Sequence, residues 1–280
     1  MTLARKMIHG MTISDSWLET VNVVNSAPGR HLYHLVTCID DPLTEDPDIR
    51  AAIDELSQEL PQASVETVAN TIFPIQLARS SRDPAHLTQR YRNMYPTLQR
   101  LHRNNQRGTY FSRIISHPSS KGEHDQLAQT ISRLNTELST PGPKSARYEM
   151  NISDPHASSD EAGPDETQHR DASSPIHVYA PGVDNSPMGF PCLSFCSFQL
   201  ERNVLHLVAH YRRQHLIERG YGNYLGLGRL LGYICDMTDL QPGQLMIVAG
   251  VGAVDSPKYR IAQLNARASE SALLVSETGS

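Results

Sequence analysis

Residues 193–200 and 204–212 are two β-prone runs separated by only three polar residues, Glu201-Arg202-Asn203. A short polar linker between two such runs is typical of an antiparallel hairpin. Successive side chains of a strand point to opposite faces, so each run presents one set of residues to each face. We therefore expect the strands late in the chain to be antiparallel. The second run carries Leu205, Leu207, Ala209 and Tyr211 on one face and His206, Val208, His210 and Arg212 on the other.

The remaining patterns mix strands with helices. Together they predict an α/β or α+β fold. In the clearest helix, the apolar residues of one face are Leu127, Ile131, Leu134 and Leu138. Strand patterns cover residues 31–38 and 245–254, and helical patterns cover 48–58, 64–73, 84–103, 124–138 and 223–237.

Residues 153–174 differ in composition from the rest of the chain. They are acidic, rich in Ser, Pro and Gly, and almost free of aliphatic side chains, so they bury too little surface to offset the entropy lost on ordering. Patterned sequence lies on both sides, which favours a disordered insert within a single domain of residues 1–265. Residues 266–280 are weakly patterned and are predicted to form a flexible tail.

Composition limits the class of protein. The chain has 280 residues, of which 39% are hydrophobic, and this is enough for a core. The formal net charge of −5 argues against a protein that coats nucleic acid polymers, although it is compatible with a local basic pocket. No run approaches the length of about 18 apolar residues that a membrane span needs, and the first ten residues lack the apolar core of a secretion signal. Four scattered cysteines without zinc-knuckle spacing predict a protein of the reducing cytoplasm.

Cys192 is the candidate nucleophile. It follows a glycine, a phenylalanine and a proline and directly precedes the first run of the hairpin. Cysteine is the best side-chain nucleophile near neutral pH when a nearby cation lowers its pKa. Arg212 and Arg213 end the second run, so the hairpin can bring their charges to the thiol. The alternative is that Cys192 is a small core residue, as most free cysteines are.

Two other patterns admit both a binding role and a structural one. His206, His210 and Arg212 share a strand face, which could bind an anion such as phosphate or simply face solvent. No metal site is predicted there, because no Asp, Glu or Cys stands at a companion ligand spacing. The glycines of residues 220–228 (GYGNYLGLG) lack GxGxxG spacing and follow charged residues, so we interpret them as a turn leading into a helix. Asn223 could cap that helix or present its amide to a ligand.

Several segments form a pattern through their order and spacing along the chain. They are Asp125-Gln126-Leu127, Ser145-Ala146-Arg147, Met188-Gly189-Phe190-Pro191-Cys192, Arg212, Asn223 and Leu240-Gln241-Pro242-Gly243. Taken together they resemble the thymidylate synthase superfamily, which includes the pyrimidine hydroxymethylases. The resemblance covers roughly residues 60–255 without the acidic insert. It implies a thymidylate synthase-like mixed sheet with flanking helices and a homodimer formed through the sheets.

The resemblance implies a role for each matched residue. Cys192 would add to C6 of a pyrimidine nucleoside monophosphate, so that C5 can attack a one-carbon unit from 5,10-methylenetetrahydrofolate. Arg212, together with Arg147 of the partner subunit, would bind the phosphate. Asn223 would read the base and favour uracil, because the cytosine-specific relatives usually place Asp there. The family has a glutamate on an early helix that transfers protons and positions water, and Glu66 is the nearest candidate for it. The alternative is that Glu66 is an exposed acid on a helix face without a catalytic role.

Arg213 and Tyr110 are further predicted lining residues of this site. The sequence departs from the family where sugar and folate would bind. Residues 250–255 lack the His and Tyr of the sugar-binding segment. Elsewhere, Leu193 stands in place of a histidine, Ser197 of a glutamine and His215 of an aspartate.

The predicted function is one-carbon transfer, by methylation or hydroxymethylation, to C5 of a pyrimidine nucleotide other than ordinary deoxyuridylate. One alternative is a nucleotide-binding or scaffold protein of the same fold that has lost turnover. The other is an unrelated cysteine hydrolase in which His206 or His210 would serve Cys192, although no orienting partner for either histidine is identified.

Overall fold

The computed structural model describes residues 7–59, 62–101, 108–119, 122–140, 148–152 and 191–278. A 3-10 turn covers Pro28–Arg30, and a π-turn covers Leu216–Gly220. The strands are β1 (Met7–Thr12), β2 (His31–Asp41), β3 (His117–Ser119), β4 (Gly122–His124), β5 (Tyr148–Asn151), β6 (Leu193–Glu201), β7 (Val204–His215) and β8 (Gln241–Ala253). The helices are α1 (Ile13–Ser26), α2 (Pro47–Gln58), α3 (Val65–Ile72), α4 (Ile75–Arg79), α5 (Pro84–Leu101), α6 (Tyr110–Ile115), α7 (Gln126–Leu138), α8 (Tyr221–Asp236) and α9 (Lys258–Thr278).

Six of these strands form one mixed sheet in the order β1-β2-β8-β7-β6-β5. β1 runs parallel to β2 and β7 runs parallel to β8, whereas the other neighbours are antiparallel. The predicted mixture of helices and strands is confirmed, and so is the antiparallel hairpin β6–β7. The expectation of antiparallel late strands is wrong for β7 and β8. Because α8 carries the chain back along the sheet between them, the two strands can pair in parallel.

One face of the sheet packs against helices and forms the core. Trp17 of α1 donates its indole N–H to the carbonyl oxygen of Leu216 at 2.8 Å and packs edge-on against Tyr221, with ring centroids 5.4 Å apart. The hydroxyl groups of Thr20 and Thr37 lie 2.9 Å apart and join α1 to β2. The core therefore fixes α1, the sheet and the β7–α8 connection to one another. The predicted period of two in β7 is confirmed, since its buried apolar side chains are Leu205, Leu207, Ala209 and Tyr211.

The opposite face of the sheet, called the open face below, is only partly buried. Phe195 is 37% exposed on this face and stacks on His210, with ring centroids 5.6 Å apart. Strand register places Met246 next to both Val208 and Cys38, so an apolar row crosses the three central strands. Within the described residues this row lacks full cover. The partly buried side chains that define the open face are Val36, Cys38, Val208, Met246 and Val248.

The longer helical patterns are confirmed within a few residues of their predicted bounds. In α7, three residues of the predicted stripe are buried, but Leu138 in the last turn is 44% exposed. Helix α9 continues to Thr278, into the segment 266–280 for which the sequence predicts a flexible tail. That segment contains several alanines, which favour helix strongly enough to extend it. The predicted insert at 153–174 lies outside the described residues. None of the described helices has both the length and the apolar character needed to cross a bilayer.

The glycine-rich segment forms part of α8, and the predicted turn is wrong. A Cβ atom at Gly226 would lie 2.7 Å from the carbonyl oxygen of Ala69 in α3, and one at Gly222 would lie 2.8 Å from that of Val65. Both distances are shorter than real contacts allow. Glycine at these positions therefore lets the backbones of α3 and α8 approach closely. The spacing of the glycines reflects helix packing and not a reversal of the chain.

We expect Gly226→Ala to destabilise the protein, although alanine favours a helix over glycine by about 1 kcal/mol. Its methyl group would overlap the Ala69 carbonyl, and overpacking of this kind costs about 1–3 kcal/mol. Gly232→Ala in the same helix is the matched control, because its Cβ would meet only the half-exposed Leu43 side chain, which can rotate away. Urea titrations should show a lower free energy of unfolding for G226A alone. Equal values for the two variants would contradict this close packing.

Candidate functional site

Cys192 stands directly before the first residue of β6, Leu193. Its carbonyl oxygen accepts a hydrogen bond of 2.8 Å from the backbone N–H of Arg212 in β7. Antiparallel pairing therefore holds the two residues level with each other on neighbouring strands. The cysteine is half-buried and packs against the edge of the core. The hairpin thus places the thiol beside a strand end that carries two consecutive arginines.

Three guanidinium groups act on the Cys192 thiol. Burial is the largest influence and raises its pKa above the usual value for cysteine. Three arginine charges lower this pKa: Arg219, which has the largest effect of the three, Arg212 and Arg213. The carboxylate of Glu218 raises it, as burial does. The net shift is upward. The arginines are therefore close enough to favour a thiolate, but they do not outweigh burial by themselves.

Tyr110 lies against the same cysteine. It is the first residue of α6, where reciprocal hydrogen bonds between Thr109 and Ser112 fix the N-terminus of the helix. Burial and the neighbouring Cys192 raise the pKa of Tyr110 to about 12, while backbone hydrogen bonds from Leu193 and Cys192 oppose the rise. Near neutral pH the side chain is therefore an uncharged hydroxyl group, anchored beside the thiol.

Asn223 lies in the first turn of α8 with its side chain buried. It is 4% exposed, and among the described residues its Oδ1 has no hydrogen-bond partner. The side chain does not cap the helix, because the N-cap position is Gly220 and no side chain bonds there. An unpaired buried acceptor costs about 1–3 kcal/mol, so native structures usually satisfy it. Asn223 therefore offers an acceptor to a donor that the described residues do not supply.

Further unpaired polar atoms lie near Tyr224, the residue that follows Asn223 in α8. Tyr224 donates hydrogen bonds to the Thr37 hydroxyl at 3.3 Å and to the side-chain oxygen of Gln214 at 3.5 Å. Within the described part of the chain, Nε2 of Gln214 and the hydroxyl of Tyr211 are buried without a partner. Burial holds the pKa of Tyr211 well above its usual value, and nearby Tyr110 adds to the effect. Strand alternation indicates only that Tyr211 is buried, so the sequence gives no signal for a polar role.

Glu66 makes its closest contacts elsewhere. Its two carboxylate oxygens each accept a hydrogen bond of 2.8 Å from Arg229 in α8, and Arg50 lies 3.5 Å away. The hydrogen bonds from Arg229 lower the pKa of Glu66, although burial acts in the opposite direction. Glu66 thus joins α3 to α8 in an ion pair, and its proton-handling role stays a prediction.

The structure brings several of the predicted site residues together and adds one that the sequence did not single out. Arg147 lies outside the described residues. The addition is Arg219, whose charge is the strongest that favours the Cys192 thiolate. It lies in the π-turn Leu216–Gly220, which neither helix nor strand periodicity can identify. The predicted residues that meet are Cys192, Arg212, Arg213 and Tyr110.

A second polar group lies beyond the end of β7, where the resemblance expects sugar and folate. Nδ1 of His215 is 3.6 Å from Oδ2 of Asp255, and Oδ1 of Asp255 accepts the backbone N–H of Ile217 at 3.0 Å. Burial alone would raise the pKa of Asp255, but these two groups lower it. His215, Asp255 and Glu218 are close enough to share a cation. However, Nε of Arg219 lies 3.2 Å from the Glu218 carboxylate, and its positive charge would repel a cation bound there.

No protein-family model matches this chain, and no curated protein matches it. The function proposed below therefore rests on the geometry of the site and on the resemblance carried by its motifs.

Removal of the Arg219 charge should slow alkylation of Cys192. Because this guanidinium lowers the pKa of the thiol, Arg219→Gln leaves less thiolate at a given pH. We expect the rate of iodoacetamide modification at pH 8, followed by peptide mass mapping, to fall by about three- to tenfold. Arg82→Gln, at an exposed arginine on the α4–α5 connection, is the control and should leave the rate unchanged. A wild-type rate in R219Q would show that Arg219 does not act on the thiol.

Proposed function

We propose that the chain is a divergent thymidylate synthase-like protein that binds a pyrimidine nucleoside monophosphate and adds Cys192 to C6 of its base. The observation that carries the proposal is that the positive charges of Arg212, Arg213 and Arg219 all act on one half-buried cysteine. Guanidinium groups recognise phosphate well, because their planar donors match its oxygens. The same positive charges favour the thiolate that addition requires. One cluster of residues can therefore serve both binding and nucleophilic attack.

Asn223 is the proposed reader of the base. Its buried Oδ1 is an acceptor for the ring N3–H of uracil, and its amide NH₂ can donate to the neighbouring carbonyl oxygen. Cytosine presents an acceptor at N3 and a donor amino group at C4, so the same amide geometry suits it less well. A buried acceptor that gains its donor only from the ligand contributes strongly to such discrimination.

The proposed covalent step moves electrons from sulfur into the ring. The half-buried Cys192 thiol releases its proton to solvent water, the sulfur–C6 bond forms, and the C5–C6 π electrons move toward the C4 oxygen as an enolate. C5 of this enolate is nucleophilic, which the free pyrimidine is not. Tyr110 stays uncharged near neutral pH because its pKa is about 12, so we assign it a hydrogen-bonding role and not that of a base.

The described residues do not fit the folate contacts that the resemblance implies. His215 stands where an aspartate is expected, and its Nδ1 faces Asp255 at 3.6 Å. Leu193, which replaces a histidine, is fully buried. One-carbon transfer to C5 from 5,10-methylenetetrahydrofolate, as methylation or hydroxymethylation, is therefore supported by the resemblance alone. The mechanism derived from these residues ends at the enolate.

The open face supports the proposed homodimer. Its central row of Val208, Met246 and Cys38 is only partly buried, and Phe195 is exposed beside it. A second copy packed against this face would bury the apolar row, which favours association. In the dimer that the resemblance implies, Arg147 of the partner subunit would approach the phosphate and add to the charge of Arg212.

A nucleotide-binding or scaffold protein without turnover is the second candidate. Burial keeps the pKa of Cys192 raised despite three arginines, so little thiolate forms in the absence of a ligand. The carboxylate of Glu66 is engaged by Arg229, which leaves it less able to manage protons for a substrate. Both features disfavour covalent addition by Cys192, whereas the arginines and Asn223 stay available to bind a nucleotide.

Incubation with 5-fluorouridine and 5-fluorodeoxyuridine monophosphates tests covalent addition. The fluorine makes C6 more electrophilic, which favours addition of the thiolate, and after one-carbon transfer it also blocks the loss of a C5 proton that would release Cys192. We expect intact mass to show one nucleotide per wild-type chain and none in Cys192→Ser. Cys38→Ser, which changes another half-buried cysteine, is the matched control and should still form the adduct. A larger adduct with methylenetetrahydrofolate would support one-carbon transfer.

The other outcomes separate the two candidates. Nucleotide binding without an adduct, measured by calorimetry, would favour the scaffold protein. The absence of both binding and adduct, with uridine and cytidine nucleotides alike, would rule out the proposed function.

Asn223→Asp should shift the preference of the site from uridine toward cytidine monophosphate. A protonated carboxyl group can donate to N3 of cytosine and accept from its amino group, whereas the amide matches uracil. We expect the ratio of the two dissociation constants to change by about tenfold, corresponding to about 1.4 kcal/mol. Asn203→Asp, at an exposed position in the β6–β7 turn, is the control and should leave the ratio unchanged. An unchanged ratio in N223D would exclude Asn223 as the reader of the base.

A further inference from the structure

His9, Cys38 and Asp40 meet at one corner of the open face. Cys38 and Asp40 lie two residues apart in β2, so their side chains point to the same side of the sheet. His9 in β1 is the register partner of Cys38, which places its side chain on that side as well. Backbone pairing therefore brings His9 next to two residues of another strand that are distant from it in the sequence.

The geometry of the three side chains is compact. One potential ligand atom from each lies within 4.8 Å of the other two. Nε2 of His9 is 2.8 Å from Oδ2 of Asp40. Gln244 of β8 donates a hydrogen bond of 2.6 Å to the other carboxylate oxygen, Oδ1, and so orients Asp40. The corner is accessible, because the side chain of His9 is 63% exposed and that of Asp40 is 28% exposed.

We propose that His9, Cys38 and Asp40 bind a Zn²⁺ ion. Imidazole nitrogen, thiolate sulfur and carboxylate oxygen are the ligand types that zinc takes in proteins. Bond lengths of about 2.0–2.3 Å require tetrahedral ligand atoms to lie roughly 3.3–3.8 Å apart, which small side-chain rotations would achieve. Gln244 serves as the outer partner that holds the carboxylate in place. Three protein ligands leave the fourth position open to water or another small ligand.

The proposed zinc site is independent of the nucleotide site. Strands β8 and β7 separate β2 from β6, the strand that Cys192 precedes. The rival location for a cation is the cluster of His215, Glu218 and Asp255 near Cys192. Arg219 is bonded to Glu218 in that cluster and repels a cation, whereas Gln244 brings no charge to the zinc corner.

Metal titration of the full chain, after treatment with a chelator, tests the site. We expect native mass spectrometry to show one Zn²⁺ per chain. Co²⁺ should give the visible bands of a tetrahedral ion and a near-ultraviolet band from thiolate-to-metal charge transfer. Cys38→Ser should remove the charge-transfer band. Gln244→Ala should weaken zinc affinity by about tenfold, as expected when an outer partner is lost, and His9→Ala should weaken it further.

Cys192→Ser is the matched control, because it removes another half-buried thiol, and its cobalt spectrum should equal that of the wild type. A charge-transfer band that survives in C38S and disappears in C192S would overturn the proposal, because it would make Cys192 the thiolate ligand of the metal. Equal zinc affinity in His9→Ala and wild type would also overturn it. So would the absence of stoichiometric zinc binding to wild-type protein whose fold is verified by circular dichroism.

Discussion

The hydrogen bond from the Arg212 N–H to the Cys192 carbonyl aligns the two strands on which the candidate site depends. It holds the thiol level with the end of β7, where Arg212 and Arg213 follow each other. From there the π-turn carries Arg219 back toward the same thiol before α8 begins. Asn223 follows in the first turn of that helix. If β6 slipped by one residue against β7, the cysteine would point to the opposite face and these groups would separate.

The balance of burial and charge at Cys192 determines what the site can do. Burial raises the pKa of the thiol, and the three arginines only partly compensate. A bound phosphate would bring negative charge to the same guanidinium groups and weaken their effect on the sulfur. In the proposed reaction, proton loss is therefore best coupled to formation of the sulfur–carbon bond, when the negative charge passes into the ring. Under this proposal the site protects the free thiol and reserves its reactivity for a correctly placed base.

Local patterns in the sequence predicted those parts of the structure that depend on neighbours along the chain. The period of two in β7 and the stripe of Leu127, Ile131 and Leu134 in α7 are examples. Parallel pairing of β7 with β8 and the bond between Glu66 and Arg229 depend on contacts between distant segments, which no periodicity encodes. The glycines of α8 were misinterpreted for the same reason, because their meaning lies in the α3 backbone. The resemblance singled out Cys192, Arg212 and Asn223 as candidates, but the π-turn that contains Arg219 has no recognisable pattern.

The two faces of the sheet have different properties. The covered face supplies the core, and the open face combines an apolar centre with a polar corner at β1. Because β1 is an edge strand, His9 lies two strands away from Met246, and adjacent strands are about 4.8 Å apart. A second copy seated on the central row would therefore reach Cys38, which belongs to both the row and the corner, but it need not cover His9. The alternation that buries Thr37 and Ile39 of β2 also turns Cys38 and Asp40 outward, so core and metal corner arise from one strand.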